Sequence, residues 1–69
     1  MRTGIFPNMG EVKRRTYKKG WSLADLARQA NLSLYTIFAL QAKRRRASER
    51  TVYKLANALD VSPADIIEK

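Results

Sequence analysis

The chain has 69 residues, a formal net charge of +8 and neither cysteine nor histidine. Its length allows one small domain over residues 1–69, and the absence of cysteine excludes disulfides and thiolate metal sites. The six acidic residues are scattered singly, so we expect no enzyme, no metal and no cofactor. The sequence has no apolar run long enough for a membrane span and no signal-peptide pattern, which together predict a cytoplasmic protein.

The positive charge is concentrated in two blocks. Residues 1–20 and residues 43–54 each carry a net charge of +5, whereas residues 21–42 are neutral and residues 55–69 sum to −2. The second block includes four consecutive cations, Lys43 to Arg46. Clustered Lys and Arg release counterions when they neutralise phosphates, so this pattern favours a nucleic-acid partner over a surface that is merely solvated.

The N-terminal part of the chain predicts an arm followed by a helix. Residues 1–7 are predicted to form a flexible arm. The apolar pair within it, Ile5 and Phe6, leaves open two further interpretations, an arm that reaches DNA or a partner and a tether packed on the domain. A first helix is expected from near Asn8, an N-cap residue, to Lys19, before Gly20.

The middle of the chain predicts two short helices, over about residues 23–30 and 34–42, joined by a tight turn. Ser22 and Ser33 stand at their N-cap positions. Asn31 tolerates the left-handed conformation that lets a chain leave one helix and enter the next within about three residues. The apolar positions that the two helices share are Leu26, Ala30, Leu32, Ile37 and Leu40. We therefore predict a helix-turn-helix unit.

The C-terminal third predicts a basic loop and two more helices. The loop covers residues 43–47, and a fourth helix begins after Ser48 and ends at Asp60. Its apolar positions recur at helical spacing: Val52, Leu55, Ala56 and Leu59. Ser62 followed by Pro63 is typical of the start of a last helix. The prediction is an all-α fold with five short helices and no strand.

These motifs resemble those of the lambda-repressor/Cro-like helix-turn-helix regulators of phages and bacteria. The resemblance covers nearly all of residues 9–67. It is carried by the runs Ser22–Ala27, Asn31–Ser33, Thr36–Ile37 and Lys54–Ser62. It implies a compact five-helix domain in a bacterial or phage-infected cell that places helix 3 in the major groove of double-stranded DNA, often as a homodimer.

The resemblance also implies two sets of DNA-contacting residues. The base-facing positions of helix 3 are Leu34, Tyr35, Thr36, Phe38 and Ala39. The phosphate-contacting positions are Ser22, Ser33, Lys43, Arg44, Arg45 and Arg46. The base-facing set contains no Arg, Gln or Asn able to form a bidentate bond to a base edge, so readout would depend on thymine methyl groups, hydroxyl groups and DNA shape.

The sequence departs from the family pattern at three positions. An arginine late in helix 1 often pairs with a glutamate at the end of helix 3, and the matching residues here are Thr16 and Gln41. Both charges are absent together, which avoids the cost of a single buried charge, about 3–5 kcal/mol. The glutamine that commonly opens helix 2 is matched by Leu23, so its backbone contact cannot be transferred.

The preferred interpretation is a small, sequence-specific DNA-binding transcriptional repressor. The main alternative is a protein-protein interaction module on the same fold, in which the apolar face of helix 3 binds a protein partner. Leu34, Tyr35 and Phe38 are also compatible with core positions, because aromatic side chains at helical spacing are commonly buried. An RNA-binding protein is a third hypothesis, with Tyr35 and Phe38 stacked on unpaired bases.

Overall fold

The computed structural model describes residues 4–44 and 46–67. Four α-helices follow one another in these ranges, α1 (Met9–Lys18), α2 (Leu23–Gln29), α3 (Leu34–Gln41) and α4 (Glu49–Leu59). Within the same ranges there is no strand, only two isolated antiparallel bridges. The predicted all-α class is therefore confirmed.

The last predicted helix is a 3-10 helix rather than an α-helix. It covers Pro63–Ile66 and begins with the expected capping box, in which the Ser62 N–H donates to the Asp65 carboxylate at 3.2 Å. Ile67 is already extended, with φ −98° and ψ 135°, and it forms a bridge with Pro7. Five short helices are predicted, and the structure has four α-helices and this single 3-10 turn, which ends where Ile67 pairs with the N-terminal segment.

All four α-helices end in the same backbone motif. A residue in the left-handed conformation follows each helix, and its N–H donates to the carbonyl three residues earlier. The next N–H donates to the carbonyl five residues back, as from Leu32 to Ala27 at 2.8 Å. The left-handed residues are Gly20, Asn31, Lys43 and Asp60. This motif satisfies carbonyls that a helix end leaves open. The helix ends predicted at Gly20, Asn31 and Asp60 are confirmed. The left-handed residue at Lys43 was not predicted.

The core lies where the four helices and the 3-10 helix meet. Its fully buried side chains include one or more from each element: Val12, Leu26, Ile37, Leu40, Val52, Leu55 and Ile66. Thr16 is also buried, and its hydroxyl donates to the Val12 carbonyl at 2.7 Å within α1. Gln41 is exposed. Thr16 and Gln41, which stand where the family often has a charged pair, therefore do not depend on each other: one is hydrogen-bonded within α1 and the other is exposed.

Residues 4–7, which we call the N-terminal strap, are held against the domain. Ile5 exchanges two backbone hydrogen bonds with Ala47, each 2.7 Å long, and the Asn8 N–H donates to the Ile66 carbonyl at 2.7 Å. Pro7 is buried. The predicted flexible arm is thus wrong for residues 4–7, which form a packed tether, and residues 1–3 lie outside the described residues.

In the part of the chain that the structure describes, no helix is long and apolar enough to cross a membrane.

Candidate nucleic-acid interface

The helix-turn-helix unit is formed by α2 and α3 around the turn at residues 31–33. The Ser22 hydroxyl accepts from the Asp25 N–H at 3.1 Å, and the Asp25 carboxylate accepts from the Ser22 N–H at 3.0 Å. At the start of α3, the Ser33 hydroxyl accepts from the Thr36 N–H at 3.0 Å. Both predicted caps are confirmed, and they determine where each helix begins relative to the turn.

Helix α3 has one buried face and one exposed apolar face. Ile37 and Leu40 enter the core. On the outer side, Tyr35 is 66% exposed, Phe38 is 50% exposed and Leu34 is 37% exposed. The interpretation that these three side chains belong to the core is therefore wrong, because Ile37 and Leu40 occupy the side of α3 that faces α2 and the core.

Two members of the predicted base-facing set are less accessible. Ala39 is only 2% exposed, and its carbonyl accepts from the Arg44 N–H at 2.9 Å. It cannot offer a methyl group to a base, so its predicted role is corrected. Thr36 is half-buried, and its hydroxyl shares a 2.8 Å hydrogen bond with the Ser33 hydroxyl. That bond uses one of the two hydroxyl protons, so the other remains able to donate.

The basic loop continues directly from the exposed face of α3. Lys43 follows the helix in a left-handed conformation (φ 58°), and Arg44 is exposed. The Lys43 Nζ lies 5.6 Å from the centre of the Phe6 ring, and the Arg46 Cζ lies 4.6 Å from it. Arg45 was predicted to contact phosphate and lies outside the described residues.

The contact of Phe6 with the basic loop was not predicted from the sequence. The sequence predicts Phe6 on an arm, and nothing in its neighbouring residues points to Lys43 or Arg46. Only the pairing of Ile5 with Ala47 brings the ring beside these cations. A contact between segments so far apart in the chain leaves no periodic signal that local reasoning could detect.

The two helix starts differ in charge. In α2, the Ser22 N–H holds the pKa of the Asp25 carboxyl below its usual range, so this end of the helix carries a negative charge. The first turn of α3 contains no acidic residue. Because the positive end of a helix dipole attracts anions, the start of α3 near Ser33 suits a phosphate better than the start of α2 near Ser22.

The first basic block is partly neutralised on α1. Arg14 Nη2 and Arg15 Nε each lie 2.6 Å from the Glu11 carboxylate. The hydrogen bond from Arg14 lowers the pKa of that carboxyl, so Glu11 is charged at neutral pH. Two of the five described cations of the second block, Lys43 and Arg46, lie against the Phe6 ring. The clustering of Lys43, Arg44 and Arg46 in one short loop makes this loop the stronger candidate for an anion partner.

Residues 13–66 match the helix-turn-helix family. The chain belongs to this family. The match spans α1 to the 3-10 helix and confirms the resemblance to the lambda-repressor/Cro-like regulators. As a member of the helix-turn-helix family, the protein is a DNA-binding transcriptional regulator.

Two solved structures share this fold. One is the restriction-modification controller protein C.AhdI from Aeromonas hydrophila, with a TM-score of 0.75 and 26% identity over 83% of this chain and 86% of the other. The second is the clp gene regulator ClgR from C. glutamicum, with a TM-score of 0.70 and 24% identity over 83% of this chain and 74% of the other. The likeness to ClgR concerns the fold alone. A search of curated proteins found no match.

Proposed function

We propose that the protein is a sequence-specific repressor that places α3 in the major groove of double-stranded DNA and anchors phosphates with the loop at residues 43–46. The observation that carries this proposal is the exposed face of α3, formed by Leu34, Tyr35 and Phe38, which runs directly into the basic loop. An exposed recognition helix beside a cationic loop can engage base edges and backbone together.

The chemistry of α3 indicates what kind of site it reads. Its eight residues, Leu34–Gln41, include no charged side chain, and its exposed apolar groups suit the C5 methyl group of thymine. The Tyr35 hydroxyl adds one group that can donate or accept. We therefore propose a binding site with thymine at the positions facing Leu34, Tyr35 and Phe38, and with further selectivity from DNA shape.

Phosphate contacts supply most of the affinity in this proposal. Lys43, Arg44 and Arg46 stand at the end of α3, and the Ser33 end of the same helix bears no acidic residue. Both ends of α3 can therefore approach the DNA backbone while its exposed face meets the bases. Arg45, between Arg44 and Arg46, belongs to the same proposal by its sequence position.

The proposal is tested by selecting tight-binding duplexes from a random pool and then replacing single thymines of the selected site with uracil. Uracil pairs as thymine does but lacks the C5 methyl group. We expect a loss of about fourfold in affinity for each methyl group that α3 contacts, the value of one buried apolar carbon. Uracil outside the contacted positions is the control and should change nothing. Absence of binding at low salt would reject the proposal.

A second candidate is a protein-docking module, and the same exposed face favours it. Tyr35 and Phe38 are large, apolar and without charged neighbours on α3. If they bind a protein, Tyr35→Ala and Phe38→Ala should abolish partner capture and leave DNA affinity intact. Tyr53→Ala is the matched control, because Tyr53 is 53% exposed on α4.

A further inference from the structure

The Phe6 ring contacts two cations of the basic loop. The Lys43 ammonium is 5.6 Å and the Arg46 guanidinium carbon 4.6 Å from the ring centre. Both distances fall within the range, about 6 Å, over which a ring quadrupole attracts a cation. Phe6 belongs to none of the helices, so its place depends on the N-terminal strap.

The strap backbone is built for close approach to the loop. The paired hydrogen bonds of Ile5 with Ala47 fix the strap one residue beyond Arg46. Gly4 has φ +96°, and a Cβ built on it would lie 2.7 Å from the Arg46 Cβ. A side chain at position 4 would therefore be strained and would also push the strap away from Arg46.

Two properties of the loop make contact with the Phe6 ring favourable for phosphate binding. Lys43 holds a left-handed conformation that residues other than glycine, asparagine and aspartate adopt at a cost. Long cationic side chains also lose rotamer freedom when they are fixed on a phosphate. A ring that already restrains both cations reduces the freedom lost on binding. A guanidinium that contacts a ring through its face keeps its N–H edge available for phosphate.

We propose that Phe6 is a positioning residue for phosphate binding, which holds the Lys43 and Arg46 side chains in place before DNA arrives. This inference depends on the proposed function, since it assigns the partner of the two cations as DNA phosphate. Phe6 itself acts through the cations and needs no contact with DNA. The strap thus contributes to DNA binding by placing Phe6 against these cations, although it lies outside the helix-turn-helix unit.

The test compares Phe6→Leu and Phe6→Tyr in two backgrounds, the wild-type loop and a loop carrying Lys43→Ala with Arg46→Ala. Phe6→Leu keeps an apolar side chain without the ring, whereas Phe6→Tyr keeps the ring. In the wild-type loop we expect Phe6→Leu to weaken binding to duplex DNA by about three- to tenfold and Phe6→Tyr to restore it. In the double-Ala loop, Phe6→Leu should have no further effect on affinity.

Three further tests separate positioning from a structural role. Tyr17→Leu removes an exposed ring from α1, where 56% of the side chain is exposed, and should leave DNA affinity unchanged. The NMR shifts of the Arg46 side-chain protons should show the ring current of Phe6 in the wild type and in Phe6→Tyr, and should lose it in Phe6→Leu. Gly4→Ala should reduce both the ring current and the affinity.

Each outcome decides the inference. An equal loss of affinity from Phe6→Leu in both backgrounds would mean that the ring only supports the fold, and an unchanged affinity in the wild-type loop would mean that it supports nothing in binding. Either result overturns the positioning role while the proposed function stands. Salt-independent or absent DNA binding by the wild type overturns both, and the ring-current measurement then still reports whether the contact exists.

Discussion

At the scale of single residues, Lys43 has an unusual backbone conformation among the residues that the structure describes. The other left-handed residues that follow α-helices are Gly20, Asn31 and Asp60, which are types that tolerate this conformation. A lysine has no such tolerance. In the proposed function, the Lys43 charge contacts phosphate, and the left-handed backbone at this position is accepted at some cost to stability.

Lys43→Gly should therefore separate stability from binding. We expect the free energy of unfolding to rise by about 1 kcal/mol, because glycine removes the left-handed strain. DNA affinity should fall, and the log-log salt slope should flatten by about 1 for the lost phosphate contact. Urea unfolding and a binding series over salt measure the two effects. Asn31→Gly is the control and should leave the salt slope unchanged. A destabilised Lys43→Gly protein would contradict this account.

The Asp25 carboxylate makes stability depend on acid pH. Its pKa in the folded protein is lowered, first by the Ser22 backbone N–H and then by the Ser22 hydroxyl and Arg28. A carboxylate whose pKa is lower in the folded than in the unfolded protein stabilises the fold. This stabilisation is complete above the pKa of the unfolded state, about 4, and it is lost as the pH falls through the pKa of the folded state. Wild type should thus be more stable than Asp25→Asn at pH 7, and the difference should shrink below about pH 4. Thermal melts across that range test this. A difference that does not change with pH would be inconsistent with it.

At the scale of elements, α3 divides its side chains between two tasks. Ile37 and Leu40 attach the helix to the core, and Tyr35 and Phe38 extend from its outer side. The start of the helix is set by Ser33 and its end by the left-handed turn at Lys43. The element can therefore change its outer side chains without losing its position.

Substitutions on the buried face of α3 should lower folding stability, and substitutions on its exposed face should lower DNA discrimination. Ile37→Ala should lower the free energy of unfolding by about 2–5 kcal/mol, the usual cost of a cavity in a core. Tyr35→Ala and Phe38→Ala should each lower it by less than about 1 kcal/mol and reduce discrimination at contacted thymines by about 1–3 kcal/mol. Chemical unfolding and competition binding supply both readouts. A large loss of stability in Tyr35→Ala would mean that this face is not available to DNA.

At the scale of the whole molecule, the net charge of +8 arises from two basic blocks, one that includes α1 and one that includes the loop after α3. On α1, Glu11 engages Arg14 and Arg15, whereas the loop that follows α3 carries Lys43, Arg44 and Arg46. A regulator of this size that binds a two-fold site as a dimer would present two such loops.

Binding to duplex DNA should depend steeply on salt. Roughly four to eight phosphate contacts per monomer give a log-log slope of about −4 to −7. Replacing Arg44 and Arg46 with Ala should weaken binding to all sequences alike and flatten the slope by about 2, since phosphate contacts carry no sequence information. Lys13→Ala with Lys18→Ala removes the same charge from α1 and should flatten the slope less. Loss of sequence preference at constant affinity would contradict the role given to the loop.

Local patterns were sufficient to predict where the helices lie. The caps at Ser22, Ser33 and Ser48 and the ends at Gly20 and Asn31 are formed by residues within a few positions of each other, and the structure reproduces them. Each cap satisfies N–H groups or carbonyls of its own helix, so its signal is contained in a short stretch of sequence. Charge blocks and the helix-turn-helix resemblance were likewise available from the sequence, and both rest on residue order alone.

Contacts between distant segments were decided only by the tertiary structure. Ile67, directly after the short 3-10 helix, pairs with Pro7, and pairing of Ile5 with Ala47 brought Phe6 to the basic loop. The burial of Ala39 and the exposure of Tyr35 also depended on which side of α3 meets the core. Helical spacing groups side chains on a common face, but only packing against other elements determines which face is buried and which remains available to DNA.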